Sequence, residues 1–233
     1  VARAAKYSEE ITSLHYRISG TVPAKGRLEA EASMNTKPLA MSMKMTAVAD
    51  QGGDQHLEIR FVDEAMYVGG SGVSSEKLNG KSWLSAAPAT WGRSGVDNQS
   101  YGVLPSQLQG TPIAQSTLLT GAKDLRLVGT EAVGGARTTH YKGTVNSDGL
   151  IGGRLDQFIQ LQVSDPLTMD LWIDGEDRTK QFRLRAEHND MLAGTGDGPL
   201  DLTITFLDIN QPVTVKAPPT KDTVPLADDA QEG

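Results

Sequence analysis

Ser74 and Lys77 stand in S-x-x-K spacing. On a helix, that spacing sets an amine one turn from a hydroxyl and could activate the serine oxygen as a nucleophile. Here the pair falls in a Gly/Ser-rich loop between strand-like runs, and the S-D-N and K-T-G partners of such a serine are absent. The histidines, His15, His56, His140 and His188, are not at ligand spacing, and each lies in or beside an alternating run. A strand histidine facing solvent is the plainer reading. Asp174, Glu176, Asp177, Asp190 and Asp197 could attract calcium, but their spacing does not match an EF-hand loop, and they read as solvated turn acids. The A-G-T-G-D-G stretch at 193–198 lacks the Lys-Ser/Thr of a phosphate loop and reads as a turn. No H-E-x-x-H or G-x-S-x-G motif occurs. Absent cysteines remove disulfides, thiolate metal sites and cysteine nucleophiles. No catalytic residue, metal site or cofactor is therefore expected, and an enzyme ranks last among the functions considered.

Other residues are arranged for a different kind of chemistry. In L-A-M-S-M-K-M-T-A-V, residues 39–48, Met41, Met43 and Met45 are two apart, with Ser42 and Lys44 between them. In a strand this places three thioethers on one face. Buried strand faces usually carry Val, Ile or aromatics. Methionine is unbranched and polarizable, so it adapts to a partner of variable shape, whereas a β-branched residue presents one stiff surface. The preceding run, R-L-E-A-E-A-S-M, puts Leu28, Ala30, Ala32 and Met34 on one face and Arg27, Glu29, Glu31 and Ser33 on the other. The following run, H-L-E-I-R-F-V, does the same with Leu57, Ile59 and Phe61.

These runs belong to a longer pattern. Residues 2–12 read as a helix, being rich in Ala, Lys and Glu without Gly or Pro. From Leu14 the period changes to two, and roughly ten strands follow, separated by Gly, Pro and Asp turns. Pro88, Pro105 and Pro112 interrupt residues 86–122, where short helices fit at 105–109 and 112–119. Gly134-Gly135 between alternating runs predicts a hairpin. Residues 153–162 fit a short amphipathic helix with Leu155, Phe158 and Ile159 on one side. The segment after Ala217 is Pro-rich and acidic and is expected to be disordered. The fold class expected is mainly β (α+β), one antiparallel sheet with helical insertions, one face wet and one covered. The domain spans 1–216, with a tail at 217–233.

Bulk properties narrow the partners. The chain has 233 residues, enough for one large β domain or two small ones. With 22 basic and 29 acidic residues its formal charge is −7, which argues against nucleic acid, as does an aromatic content of 5%. No apolar run is long enough for a spanning helix.

The hairpin L-V-G-T-E-A-V-G-G-A-R-T-T-H-Y-K-G-T-V, residues 127–145, resembles that of the actinobacterial lipoprotein family of LppX and LprG, relatives of the periplasmic carrier LolA. T-S-L-H-Y-R-I-S-G, M-Y-V-G-G…L-N-G-K-S-W-L, M-D-L-W-I-D-G-E-D-R-T-K-Q-F-R-L-R-A-E and L-T-I-T-F-L-D-I-N-Q-P-V-T-V-K-A-P-P resemble further segments of that family in the same order. Together they span about 2–219. The resemblance implies a half-barrel, a single curved sheet whose concave apolar face is roofed by helices. It implies a lipid or acylated glycolipid held in the space between. Leu28, Ala30, Ala32, Met34, Met41, Met43, Met45, Leu57, Ile59, Phe61, Leu125 and Leu127 are then the expected lining. Segments 86–122 and 149–166 depart from the family's roof helices in being richer in Gly and Pro, and are expected to be the mobile gate.

The resemblance further implies a lipid-modified cysteine shortly before Val1. That would anchor a monomer to the outer, extracytoplasmic face of the cell membrane. An alternative function is a membrane-anchored interaction module that binds an envelope protein, such as an enzyme or sensor, and regulates it.

Overall fold

A computed structural model describes residues 1–22, 26–48, 54–87, 116–145, 167–186 and 199–226. The predicted helices at 105–109 and 153–162, the proposed gate apart from its ends at 86–87 and 116–122, His188, Asp190 and the 193–198 turn lie outside them.

The architecture is mainly β, one large open sheet with few helices. Helix α1 is Ala2–Ser8. It is shorter than the 2–12 expected, because the chain must turn at Glu9 and Glu10 for Ile11 to reach the core. Six strands then run as a meander: β1 Ser13–Val22, β2 Gly26–Thr36, β3 Leu39–Val48, β4 Gln55–Val62, β5 Ala65–Gly69 and β6 Trp83–Ala86. Helix α2, Ser75–Leu78, lies between β5 and β6. After a 3-10 segment at Ser116–Gly121, a second meander forms: β7 Arg126–Val133, β8 Ala136–Val145, β9 Leu167–Asp174, β10 Thr179–Ala186 and β11 Leu200–Ile209. A last short strand, β12, is Thr223–Pro225.

The spatial order is β12-β6-β5-β4-β3-β2-β1-β11-β10-β9-β8-β7, so the two meanders join at the β1–β11 seam. Every pair is antiparallel except β12–β6. The Gly134-Gly135 turn closes the β7–β8 hairpin, both glycines having positive φ, as an I′-type loop needs. Asp63 and Glu64 make the equivalent β4–β5 turn with φ of 51° and 60°. At the seam, Gly20 has φ of +145°, and a Cβ there would lie 1.9 Å from the Asp201 carbonyl oxygen. Only glycine fits that approach.

Two expectations are corrected. The ordered chain does not end at 216. Residues 220–222 form a 3-10 turn, and β12 pairs parallel with β6. Ser82 N–H donates to Asp222 O, Leu226 N–H to Ser85 O, and Lys81 Nζ to Thr223 O. Pro-rich composition suggested disorder, but this register satisfies the segment's backbone against a distant edge. Nor is the second face wet throughout. On β9, Asp170, Trp172 and Asp174 are buried, although they point away from the Met169, Leu171 and Ile173 face.

Among the described residues, no helix is long and apolar enough to cross a membrane.

Candidate functional site

Ten of the twelve predicted lining residues come together. Leu28, Ala30, Ala32 and Met34 on β2, Met41, Met43 and Met45 on β3, and Leu57, Ile59 and Phe61 on β4 are all buried in one core cluster. Strand alternation puts them on one face, and register places them side by side. Ala30 faces Met45, Ala32 faces Met43, and Met34 faces Met41. Met45, Met43 and Met41 in turn face Leu57, Ile59 and Phe61.

Cross-strand pairing extends this patch much further. The row Leu57–Met45–Ala30–Ile18–Ile204–Phe182–Leu171–Tyr141–Leu127 takes one residue from each of nine strands, β4 to β7 by way of the seam. A parallel row runs Leu84–Val68–Ile59–Met43–Ala32–Tyr16–Phe206. The sequence reading missed the seam-side members of the patch. Tyr16, Phe182, Phe206, Ile204 and Leu171 are buried with it. Their signal was present, since each sits at an apolar position of an alternating run. Tyr16 and Phe206 rings lie 6.5 Å apart, and those of Phe206 and Phe182 6.1 Å. The Tyr16 hydroxyl donates to Met41 Sδ at 3.9 Å, and burial pushes its phenol far above the ordinary range. It stays neutral and serves as an apolar surface.

Leu125 and Leu127 do not line a closed space. Leu125 directly precedes β7, and β7 is the sheet edge; the two are 36% and 64% exposed. Leu127 faces Tyr141 on the apolar side, but among the described residues no strand lies beyond it.

Ala4 of α1 and Leu119 of the 3-10 segment belong to the same core cluster. Gly143 makes room for the latter, since a Cβ there would meet Leu119 Cδ2 at 2.9 Å. A cavity of about 570 Å³ opens between α1, the β2–β3 turn and the 3-10 segment, bordered by Ala5, Ile11, Thr36, Lys37, Thr117 and Thr120. None of the predicted lining residues borders it.

The chemistry-bearing residues serve the fold. Ser74 stands at the N-terminal boundary of α2, a four-residue helix rather than the loop expected, makes no side-chain capping bond there, and is exposed. His15 bridges Glu31 and Asp208 on the polar face. His56 meets Thr46. His140 stacks on Trp172 with ring centroids 4.4 Å apart and touches Glu131 and Asp170. Asp174 accepts from the backbone N–H groups of Glu176 and Arg178 and from Arg178 Nε, which closes the β9–β10 turn. Burial pushes the Asp174 carboxyl up, but these donors outweigh it and hold it below the usual carboxylate range. Among the described residues, no group of three His, Cys, Asp or Glu side chains is placed to hold a metal ion.

Comparison with known proteins agrees with this geometry. The crystal structure of LprF from Mycobacterium bovis superposes with a TM-score of 0.58 at 14% identity, covering 93% of this chain and 94% of that one. The lipoprotein LppX of Mycobacterium tuberculosis superposes with a TM-score of 0.55 at 16% identity, covering 92% and 95%. At these identities the likeness concerns the fold. A 31.2 kDa protein from the rplA-rplJ intergenic region of Streptomyces griseus is 26% identical over 198 residues, 80% of this chain and 62% of its own length. A Streptomyces coelicolor protein named as a lipoprotein is 26% identical over 171 residues, 73% of this chain and 52% of its own. The chain thus spans between half and two thirds of the length of these curated relatives. The profile of the LppX_LprAFG lipoproteins matches residues 1–215. Because that match takes in nearly the whole chain, the chain belongs to the LppX_LprAFG lipoprotein family.

Proposed function

We propose that this chain is a non-catalytic, lipid-binding lipoprotein of the cell envelope. It holds the acyl chains of a lipid or acylated glycolipid against the apolar face of its sheet, for carriage or presentation. The observation that carries this is the apolar row crossing nine strands, with Met45 and Ala30 next to Leu57 at its β4 end and Ile204 at its middle. At about 4.8 Å per strand spacing, such a row is about 38 Å long, the scale of a long acyl chain. Small and flexible residues suit a face that must accept chains of differing shape. Each methylene withdrawn from water contributes about 0.8 kcal/mol, so acyl length alone can hold a lipid without polar recognition. Release then needs a membrane or partner to take the chains. An anchor at the outer face of the membrane would keep donor and acceptor within reach.

The test is to extract the purified protein with organic solvent and analyse the extract by mass spectrometry. Stoichiometric acylated lipid is the expected result. Lipid-free protein that also takes up no acyl probe would favour the interaction module instead.

A further inference from the structure

Leu125, Leu127 and Val128 are the large apolar side chains that the described structure leaves exposed, at 36%, 64% and 52%. They fall within four positions of one another at the free edge of the sheet. The β7–β8 register shifts between Leu127 and Gly129, so Val128 occupies a bulge and adjacent apolar residues are both presented outward. Bulged edges with charged side chains resist the addition of another strand.

The charge around them is opposite to that of the molecule. The whole chain carries −7, yet Lys123 and Arg126 are exposed here, and Lys142 stands opposite Arg126 on β8. None of these three makes an ion pair among the described residues. Two acids stand among these three cations and keep their charge, so the cations outnumber them, and Thr144, with Arg126 helping, holds the Asp124 carboxyl low. Asp124 accepts from the N–H and hydroxyl of Thr144, and Glu131 meets His140. Exposed aliphatic groups interleaved with an excess of cations match an anionic lipid surface. The aliphatic groups enter the headgroup boundary and the cations meet lipid phosphates.

We infer that the β7 edge is a docking surface for an anionic membrane, seated by Leu125, Leu127 and Val128 and held by Lys123, Arg126 and Lys142. Leu127 is also the terminal residue of the nine-strand apolar row. The edge that meets the bilayer therefore continues into the face proposed to hold acyl chains. The inference deepens that proposed role by naming where lipid would enter or leave.

The experiment is co-sedimentation with vesicles of phosphatidylcholine alone or mixed with phosphatidylglycerol. The wild-type chain should bind the mixed vesicles, bind phosphatidylcholine weakly, and lose binding as salt rises. Lys123→Glu/Arg126→Glu and Leu127→Asp/Val128→Asp should each weaken binding about tenfold or more. Lys44→Glu, on the polar face away from the edge, should not. Equal binding to both vesicle types, or edge variants that bind like wild type, overturns the inference. So does a dimer in light scattering that Leu127→Asp/Val128→Asp makes monomeric, since the edge would then join copies of the chain. Uptake of an acyl probe added from ethanol, without vesicles, reports the lipid-holding role separately. If uptake is absent but docking behaves as described, the surface stands and the carrier role fails.

Discussion

Ala32 of β2 lies directly opposite Met43 of β3, each only 2% exposed, with Tyr16 and Ile59 as their outer neighbours in the same row. A side chain of one carbon beside a flexible thioether marks an adaptable place on the apolar face. Enlarging both separates a lipid-holding face from a solid core. For Ala32→Phe/Met43→Trp, thermal unfolding should change little and uptake of a fluorescent acyl probe should fall sharply. A packed core would instead lose about 1–3 kcal/mol per site through forced rotamers, with uptake per folded molecule unchanged.

The seam between the two meanders depends on Gly20. Gly20→Ala should destabilise the protein by at least about 1–3 kcal/mol from the backbone conformation alone. Overlap with the Asp201 carbonyl adds to that. Urea unfolding should show a lower midpoint, while Gly134→Ala, where a Cβ meets nothing within 4 Å, carries the conformational cost without the overlap and should lose less.

Asp174 ties stability to acidity. Its carboxyl is depressed in the folded state, so it binds its proton less readily there than in the unfolded chain. The stabilisation is therefore present above the ordinary carboxylate value of about 3.9 and fades as pH falls through the folded one. Asp174→Asn should melt lower than wild type at neutral pH, and the gap should close as the pH falls from there through and below the ordinary carboxylate range. Melting temperatures measured across that range give the check. A gap that is constant with pH would assign the effect to shape rather than charge.

Removing residues 220–233 strips β12 from β6. The variant should melt at a lower temperature and self-associate in sedimentation velocity, because the β6 edge then offers unpaired backbone groups. Substituting Val224→Asp, which keeps the backbone pairing, should cost less association than the deletion.

The parts of this molecule legible in its sequence are those decided by neighbours along the chain. Period-two alternation is enough to set Met41, Met43 and Met45 on one side, and Gly134-Gly135 is enough to turn a hairpin. The Asp63-Glu64 turn carries no glycine and gave no such signal, although it does the same job. Alternation also reports the face of a residue but not its rank in the sheet. Leu127 is on the apolar side as expected, yet it is exposed because β7 is last in the order. Tyr16 and Phe206 share a row only because β1 pairs with β11, from the other end of the chain. β12 was hidden for the same reason. Its prolines describe a weak local preference, and its order comes from β6.

The sheet order also has a meaning in time. The first meander ends in β1 on one side and β6 on the other, and both find their outer partners, β11 and β12, in the last part of the chain. As the polypeptide emerges, six strands are complete while both of their flanks lack a neighbour. The β1 flank has its partner once β11 is complete at residue 209, and the β6 flank only when β12 is complete at residue 225. A nascent sheet with two open flanks is prone to join the wrong chain. The second half of the molecule thus acts as a clasp that closes on the first from both sides, its β1 jaw available first and its β6 jaw last, and the chain gains most from being kept unfolded until β12 is available.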